Sequence, residues 1–564
     1  MITSIKQSPF STLSKSQIYD ILQGRNANWQ YSSLSSLPHP YQLKDCEQAS
    51  ACLAKAIEQQ KQILIVGDYD VDGIVSSVIM MRFLRALGHT NASYIIPNRF
   101  KDGYGINEQI LRQNPSDIVI TVDNGISAFE VADLCAKEGR TLIITDHHLP
   151  KMIKSKQVLP NADFVINPQR SDCAFPQKEI CGALVAWYFC AGVKIALQNS
   201  KEFDCSVIKS LDLASLLEFV LLATIADMMP LTHINKTIVL QGIKRLKTSQ
   251  FPCINTLKTL LKTPFITASD IAFSITPLLN AAGRMGEGTI ASEFLLDCDN
   301  VNLEQLKSIN EERKECAKIT LESALKSMRE YPSAIIALGK WNEGVLGIVA
   351  SQLAKRFQKC AFVLTQQAHN DSVLAHTKIL KGSGRGLGNT NLVDLLSGAG
   401  DILLDFGGHS NAAGLLLEEG KYEEFCEYLA SLAQAQDFVD EGFLGRIDSR
   451  DIDEELLEII EQFEPYGQGN AKPIFEATLL VQNVQIIKEV HKKITFVQLD
   501  SSNSLDSSQN GNNAKHIQTT QNPLKAMSFF CDKDIQIGEI LTARFYLQRD
   551  AYNGKPTMII TQMA

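Results

Sequence analysis

The sequence contains no C-x-x-C pair, its thirteen cysteines are odd in number, and several of them (Cys181, Cys190, Cys316) lie in apolar segments. That pattern excludes a disulfide framework and a paired-cysteine zinc site, and the thiols read as reduced and cytosolic. Long uncharged apolar runs are also missing. The longest apolar tract, "LLEFVLLATIADMM" from Leu216, carries Glu218 and Asp227 and is too short to span a bilayer. The opening "MITSIKQSPF" has no apolar centre of the signal-peptide kind. A soluble, cytoplasmic protein is expected. Positive charge is not in excess either: 54 Lys and Arg stand against 63 Asp and Glu, a formal net charge of -9. This argues against a protein that coats duplex DNA by bulk electrostatics, but leaves room for a local basic channel.

With 564 residues, at roughly 150 residues per domain, the chain should hold about three or four domains. From Gln62 to Asp146, short apolar runs ("ILIV", "SYIIP", "DIVITV", "TLIIT") alternate with stretches of helical character at Gly73–Gly88, Asn107–Gln113 and Ile126–Lys137. "DFVIN" at Asp163–Asn167 adds a further strand. Continuous apolar strands separated by helices predict a parallel sheet covered on both faces. Helical sequence runs from Cys181 to about Arg329, and a second α/β unit begins near Tyr331 with "AIIAL", a helix at Ile348–Phe357 and "AFVL". After Gly442 short β-like runs predict a small barrel or sandwich. The expected division is an N-terminal segment 1–45, a catalytic domain 46–235, a helical connection 236–330, a second α/β domain 331–440 and a β domain 441–564. The Ser/Asn/Gln-rich insertion at about 501–523 is expected to be disordered.

Acidic residues recur where the apolar strands end. "ILIV" is followed by "GDYDVDG" with Asp68, Asp70 and Asp72; "DIVITV" by Asp123 in "VDNG"; "TLIIT" by Asp146, His147 and His148; the tract from Leu216 ends in Asp227. In an open parallel sheet the strand ends converge on one edge, where ligands bind. Aspartates with histidine and without cysteine form a hard-to-borderline ligand set that suits Mn²⁺ or Mg²⁺ better than structural zinc. There are ligands enough for two ions, with Asp123 a natural bridge. Taken singly, each piece also has a plain explanation: "DxD" is common in surface loops, Asp123 precedes a turn-forming "NG", and adjacent histidines can be surface residues.

Together, "GDYDVDG", "VDNG", "TDHH" and "TIADMMP" resemble, in order, the four motifs of the DHH phosphoesterase superfamily. "PNRFKDGYG", "CGALVAW", "NAAGRMG", "WNEGVLGIVA", "KGSGRG", "GGHSNAAG" and "FEPYGQGNAKPIF" narrow the resemblance to the RecJ-type exonucleases, from about Leu43 to the C-terminus. What this resemblance implies is a single-stranded-DNA-specific exonuclease of recombination and repair, working 5′ to 3′ by two-metal hydrolysis and releasing 5′ mononucleotides. It implies Asp68, Asp70, Asp72, Asp123, His147 and Asp227 as ligands of two Mn²⁺ or Mg²⁺ ions, with His148 beside the scissile phosphate. Asp70, Asp72 and Asp123 then also count as catalytic, and Asp146 anchors the "DHH" turn. Arg99, Arg284, Ser383, Arg385 and His409 are the candidate phosphate contacts, the last three on glycine-rich turns of the second α/β unit. "GSGRG" departs from the commoner "GSGRS" at Gly386, which removes one possible hydroxyl contact. The C-terminal module would be an OB-like barrel whose aromatics are mostly core. A monomer working with a single-strand-binding protein and a RecQ-type helicase is likewise implied. A pyrophosphatase or small phosphodiesterase of the superfamily would need neither the barrel nor the long helical middle. A scaffold that had lost its ligands would not keep all of these positions filled.

Overall fold

The computed structural model describes residues 12–563 except 155, 202, 367–377, 389, 433–441, 488–490, 499–522, 530 and 532. The polar insertion therefore lies almost wholly outside the described residues.

Five parallel strands form the first sheet, in the order Ala92–Ile95, Ile63–Val66, Ile118–Val122, Thr141–Thr145, Phe164–Ile166. The three central strands are buried almost throughout, which is why they read as continuous apolar runs. One face packs on the helix Val71–Ala86, itself wrapped by the helices Gly182–Gln198 and Leu217–Ala226 and apolar all round for that reason. The other face is covered by the helices Glu108–Gln113 and Phe129–Glu138. The latter starts later than its pattern predicts. The Ile126 N–H donates to Asp146 Oδ2 at 2.8 Å, and Gly125 (φ +109) turns the chain before the helix can begin. Chain order reverses between strands 63–66 and 118–122, so the crevice of this sheet opens above their carboxyl ends.

Helices lead through the long Asn300–Ser327 helix to a second, six-stranded sheet, ordered 405–409, 412–418, 379–385, 360–366, 334–339, 329–330. Only 334–339 and 360–366 pair in parallel. Here the sequence expectation is corrected: "GSGRG" and "GGH" are strand, not turn. Gly382 and Gly384 lie between neighbouring strands, under Leu364 and Leu415 and under Phe362, where a Cβ would come within 3 Å of those side chains. The glycines make room for large neighbours and keep the backbone N–H groups in the ladder.

The C-terminal strands 474–487, 491–497, 524–528, 556–563 and 540–549 close on one another through pairing of the first with the last, a five-stranded barrel. Phe475, Phe496 and Phe545 fill it, whereas Phe529 is exposed. The N-terminal segment belongs to this module as well. Thr12–Leu13 pairs in parallel with the strand 443–447, and the helix Lys15–Arg25 lies on the helix 454–461, with Lys15 2.5 Å from Asp453 and 2.7 Å from Glu455. Beyond it Trp29 Nε1 donates to Thr237 Oγ1 on the helix His233–Lys247. Among the described residues, no helix is long and apolar enough to cross a membrane.

Candidate metal centre and phosphate cleft

The loop after strand 63–66 delivers three carboxylates to the crevice. Asp70 caps the helix 71–86, its Oδ1 accepting the N–H groups of Asp72 (3.0 Å) and Gly73 (3.2 Å). Asp72 is cupped by a second helix: Gly182 N–H donates to Oδ2 at 2.6 Å and Ala183 N–H to Oδ1 at 2.7 Å, the N-terminus of a 17-residue helix meeting a carboxylate. Asp68 is buried, with Oδ1 lacking any hydrogen-bond donor. Asp123 turns back over strand 118–122 in the left-handed region (φ 63). Its Oδ1 lies 3.1 Å from His147 Nε2 but outside hydrogen-bond geometry. The same His147 nitrogen is 3.6 Å from Asp72 and 3.7 Å from Asp227, which enters from the end of the helix 217–226.

Three groups of potential ligands result, each with its atoms within 4.8 Å of one another: Asp68, Asp70 and Asp123; Asp72, His147 and Asp227; Asp123, His147 and His148. Burial pushes the Asp68, Asp123 and Asp227 carboxyls well above the ordinary carboxylate range, and neighbouring aspartates push them further. Burial and Asp70 raise Asp72 to about 7. Burial, then the charge of His148, draws His147 down to about 3, leaving a neutral imidazole. Aspartate oxygens without donors, crowded around a neutral imidazole, fit hard divalent cations.

This geometry has a consequence for metal-free protein. A carboxyl raised in the fold contributes stability that is present at low pH and lost as pH rises toward the folded value. Four carboxyls of the site shift this way, and burial raises Glu218 and Glu464 likewise. His147, His89 and His409, drawn down first by burial, work in the opposite direction, three groups against six. Chelator-treated protein is therefore expected to melt at progressively lower temperature from about pH 4 to pH 7. Added Mn²⁺ should reverse the loss by an increment that grows across that window. Scanning calorimetry at several pH values checks this, and a metal increment that shrinks with pH would contradict it.

Asp146 holds the histidine turn. Fully buried, it accepts from the N–H groups of His147 (2.7 Å) and His148 (3.0 Å) and from Ile126, and its Oδ1 lies 2.8 Å from His148 Nδ1. Burial works against its charge, but the charge of His148 and their hydrogen bond win and hold Asp146 at about 2. In return, His148 rises to about 9 against its own desolvation, so it is an imidazolium at neutral pH. Its ring faces His409 of the second sheet, centroids 6.4 Å apart and nearly parallel, so the two sheets meet across a cleft.

The predicted arginines converge beside this pocket. Arg99 lies over the Tyr69 ring at 5.0 Å with Nε unpartnered, Arg284 donates to Gly344 O at 3.2 Å, and Arg385 donates to Ser383 Oγ at 3.0 Å. Burial and then the charges of Arg99, Arg385 and Arg313 lower Arg284 to about 10, and Asp70 is the one carboxylate among its main neighbours. Arg313, on the helix 300–327, escapes a reading of the sequence because nothing in that amphipathic stretch separates it from a solvent-facing arginine. Tyr104 escapes it too. Its hydroxyl donates to Asp123 O at 3.3 Å and lies 3.4 Å from His148 Nδ1, although "KDGYG" marks its surroundings. Asn280 Oδ1 accepts the Val71 N–H at 3.1 Å, tying "NAAGRMG" to the aspartate loop.

Comparison with known proteins agrees with this architecture. Family models match the DHH family N-terminal domain over residues 62–224, the DHHA1 domain over 332–435 and the RecJ OB domain over 445–561. The crystal structure of RecJ in complex with Mn²⁺ from Thermus thermophilus shares the fold, with a TM-score of 0.75, 24% identity and coverage of 98% of this chain and 76% of that one. A crystal structure of exonuclease RecJ bound to manganese matches with a TM-score of 0.55 and 28% identity, over 70% of this chain and 96% of that one. The single-stranded-DNA-specific exonuclease RecJ of Salmonella typhimurium is 32% identical over 485 residues, 80% of this chain and 81% of its own. With that identity along four-fifths of both chains, the protein belongs to the RecJ family.

Proposed function

We propose that the chain is a single-stranded-DNA-specific exonuclease that degrades from 5′ to 3′ by two-metal phosphodiester hydrolysis and releases 5′ mononucleotides. The observation that carries this reading is the abutment of two opposite pockets: crowded buried aspartates on one side, and Arg99, Arg284, Arg313 and Arg385 on the other. Asp68, Asp70 and Asp123 would hold one Mn²⁺ or Mg²⁺, and Asp72, His147 and Asp227 the second, with Asp123 shared. Two such cations, when bound, make water nucleophilic at neutral pH and neutralise charge on the attacking and leaving oxygens. His148, held charged by Asp146, stands over the reacting phosphate as a cation and proton donor. Arg385 and Ser383 take the terminal 5′ phosphate through the guanidinium fork and a hydroxyl; Arg99 and Arg284 take the next phosphate, and His409 faces the cleft from the second sheet.

In this division residues 46–235 carry the metal ligands and 331–440 the terminal contacts, 236–330 join the two, and 441–564 track the strand. The setting is recombination and repair in the cytoplasm, a monomeric enzyme receiving strands opened by a RecQ-type helicase and coated by single-strand-binding protein.

Arg385→Ala is expected to weaken use of 5′-phosphorylated single strands by about 1–3 kcal/mol, the loss usual for a charge-assisted contact. Strands with a 5′ hydroxyl should be affected much less. Comparing kcat/KM for both ends on one oligonucleotide checks it; an equal loss on both would place Arg385 elsewhere along the strand.

A further inference from the structure

Directly after His148 the chain leaves the sheet edge as a two-stranded hairpin, Lys151–Ile153 against Lys156–Val158, with Lys154 at the turn in the left-handed region (φ 47). An isolated hairpin is marginal in water unless something holds it. This one is anchored at the active edge of the sheet. Gln157 Nε2 donates to Gln169 O at 3.0 Å, and Gln157 Oε1 accepts the Ser171 N–H at 2.7 Å. Asn167 Oδ1 accepts the Gln169 N–H at 2.7 Å, and its Nδ2 donates to His148 O at 2.9 Å. A continuous hydrogen-bonded path thus runs from the hairpin stem to the backbone of His148.

The anchored hairpin exposes an unusual combination of side chains. Leu149, Met152 and Ile153 are 62%, 57% and 48% exposed with no partner surface among the described residues. Lys151, Lys154 and Lys156 are exposed, and none of them is in an ion pair among the described residues; the neighbouring pairs are formed by Arg170 and His148 instead. Residues 149–162 contain those three lysines and no carboxylate, in a chain whose net charge is -9. Unpaired lysines suit a polyanion, and flanking apolar side chains suit unstacked bases more than a duplex, whose bases are hidden.

We infer that this hairpin is a DNA-strand contact at the rim of the cleft: its lysines bind phosphates of the single strand outside the catalytic centre, and Ile153, on the same face of the hairpin as Lys151 and Lys156, rests against its bases. The inference depends on the exonuclease reading above and adds a surface to it. The test replaces Lys151, Lys154 and Lys156 together with Gln (K151Q, K154Q, K156Q) in the full chain. Substrates are a 5′-phosphorylated tetranucleotide and a 5′-phosphorylated strand of about 25 nucleotides. Each phosphate contact on a single strand adds about 0.7 to the salt dependence of binding, so the slope of log K against log salt on the long strand should fall by about 2. KM for the long strand should rise roughly tenfold at moderate salt, with the tetranucleotide and the melting temperature unchanged. An unaltered slope and KM on the long strand would overturn the inference, as would a loss confined to substrates carrying a duplex. Failure of the wild-type chain to degrade either strand would overturn the exonuclease reading itself, and the hairpin's role with it.

Discussion

Asp123→Ala is expected to fold and to lose essentially all nuclease activity, a loss of several kcal/mol, or about three or more decades in rate. The carboxylate forms the first proposed group with Asp68 and Asp70, and its Oδ1 also lies 3.1 Å from His147 Nε2, the imidazole nitrogen of the second. Removing it takes an oxygen from the first proposed cation position and from the border of the second. Because Asp123 occupies the left-handed region (φ 63), alanine there costs on the order of 1 kcal/mol in backbone strain. Asp123→Asn, which tolerates that conformation, separates the chemical effect from the strain. Both variants should retain a cooperative melt and show weakened Mn²⁺ binding by calorimetry. Substantial activity in either folded variant would sink the two-metal assignment.

Gly283→Ala is expected to cost about two decades in activity although the residue touches no proposed substrate atom. A Cβ there would lie 1.7 Å from Tyr69 O, a backbone atom between Asp68 and Asp70 that has no rotamer by which to escape. The helix Thr276–Arg284 or the aspartate loop must shift, and a displacement of about 1 Å in a catalytic constellation costs on the order of 100-fold. Overpacking of this kind also destabilises by about 1–3 kcal/mol. The variant should therefore melt earlier and require more Mn²⁺ for half-maximal activity. Wild-type metal dependence and rate would show that this contact does not position the loop. Gly344 makes the next link, since a Cβ there would meet Arg284 O at 2.0 Å. Two close backbone approaches thus run in series from the aspartate loop to the second α/β unit.

The first sheet was legible because each of its central strands is buried on both faces and is followed at once by an acid: Asp68, Asp123 and Asp146 stand where the apolar runs stop. Local sequence carried that much. It did not carry long-range partners. Nothing around Gly182 announces that its N–H will cup Asp72 from 110 positions away, and nothing in the 300–327 helix distinguishes Arg313. "GSGRG" misled because glycine density suggests turns, whereas these glycines are strand positions thinned to admit Phe362, Leu364 and Leu415. The N-terminal strand escaped notice for a related reason: two residues pairing with a strand more than 400 positions later leave no periodicity to detect.

Polarity on a single strand is the sharpest test of the proposed mechanism, because it requires the metal pocket, the arginine pocket and the cleft between them to act on one substrate. An oligodeoxynucleotide carrying different labels at its 5′ and 3′ ends would be incubated with the chain with and without Mn²⁺. Immediate, metal-dependent release of the 5′ label as a mononucleotide is expected, while the 3′ label persists on shortening strands. Release that begins at the 3′ end, or proceeds equally well in chelator, would contradict it.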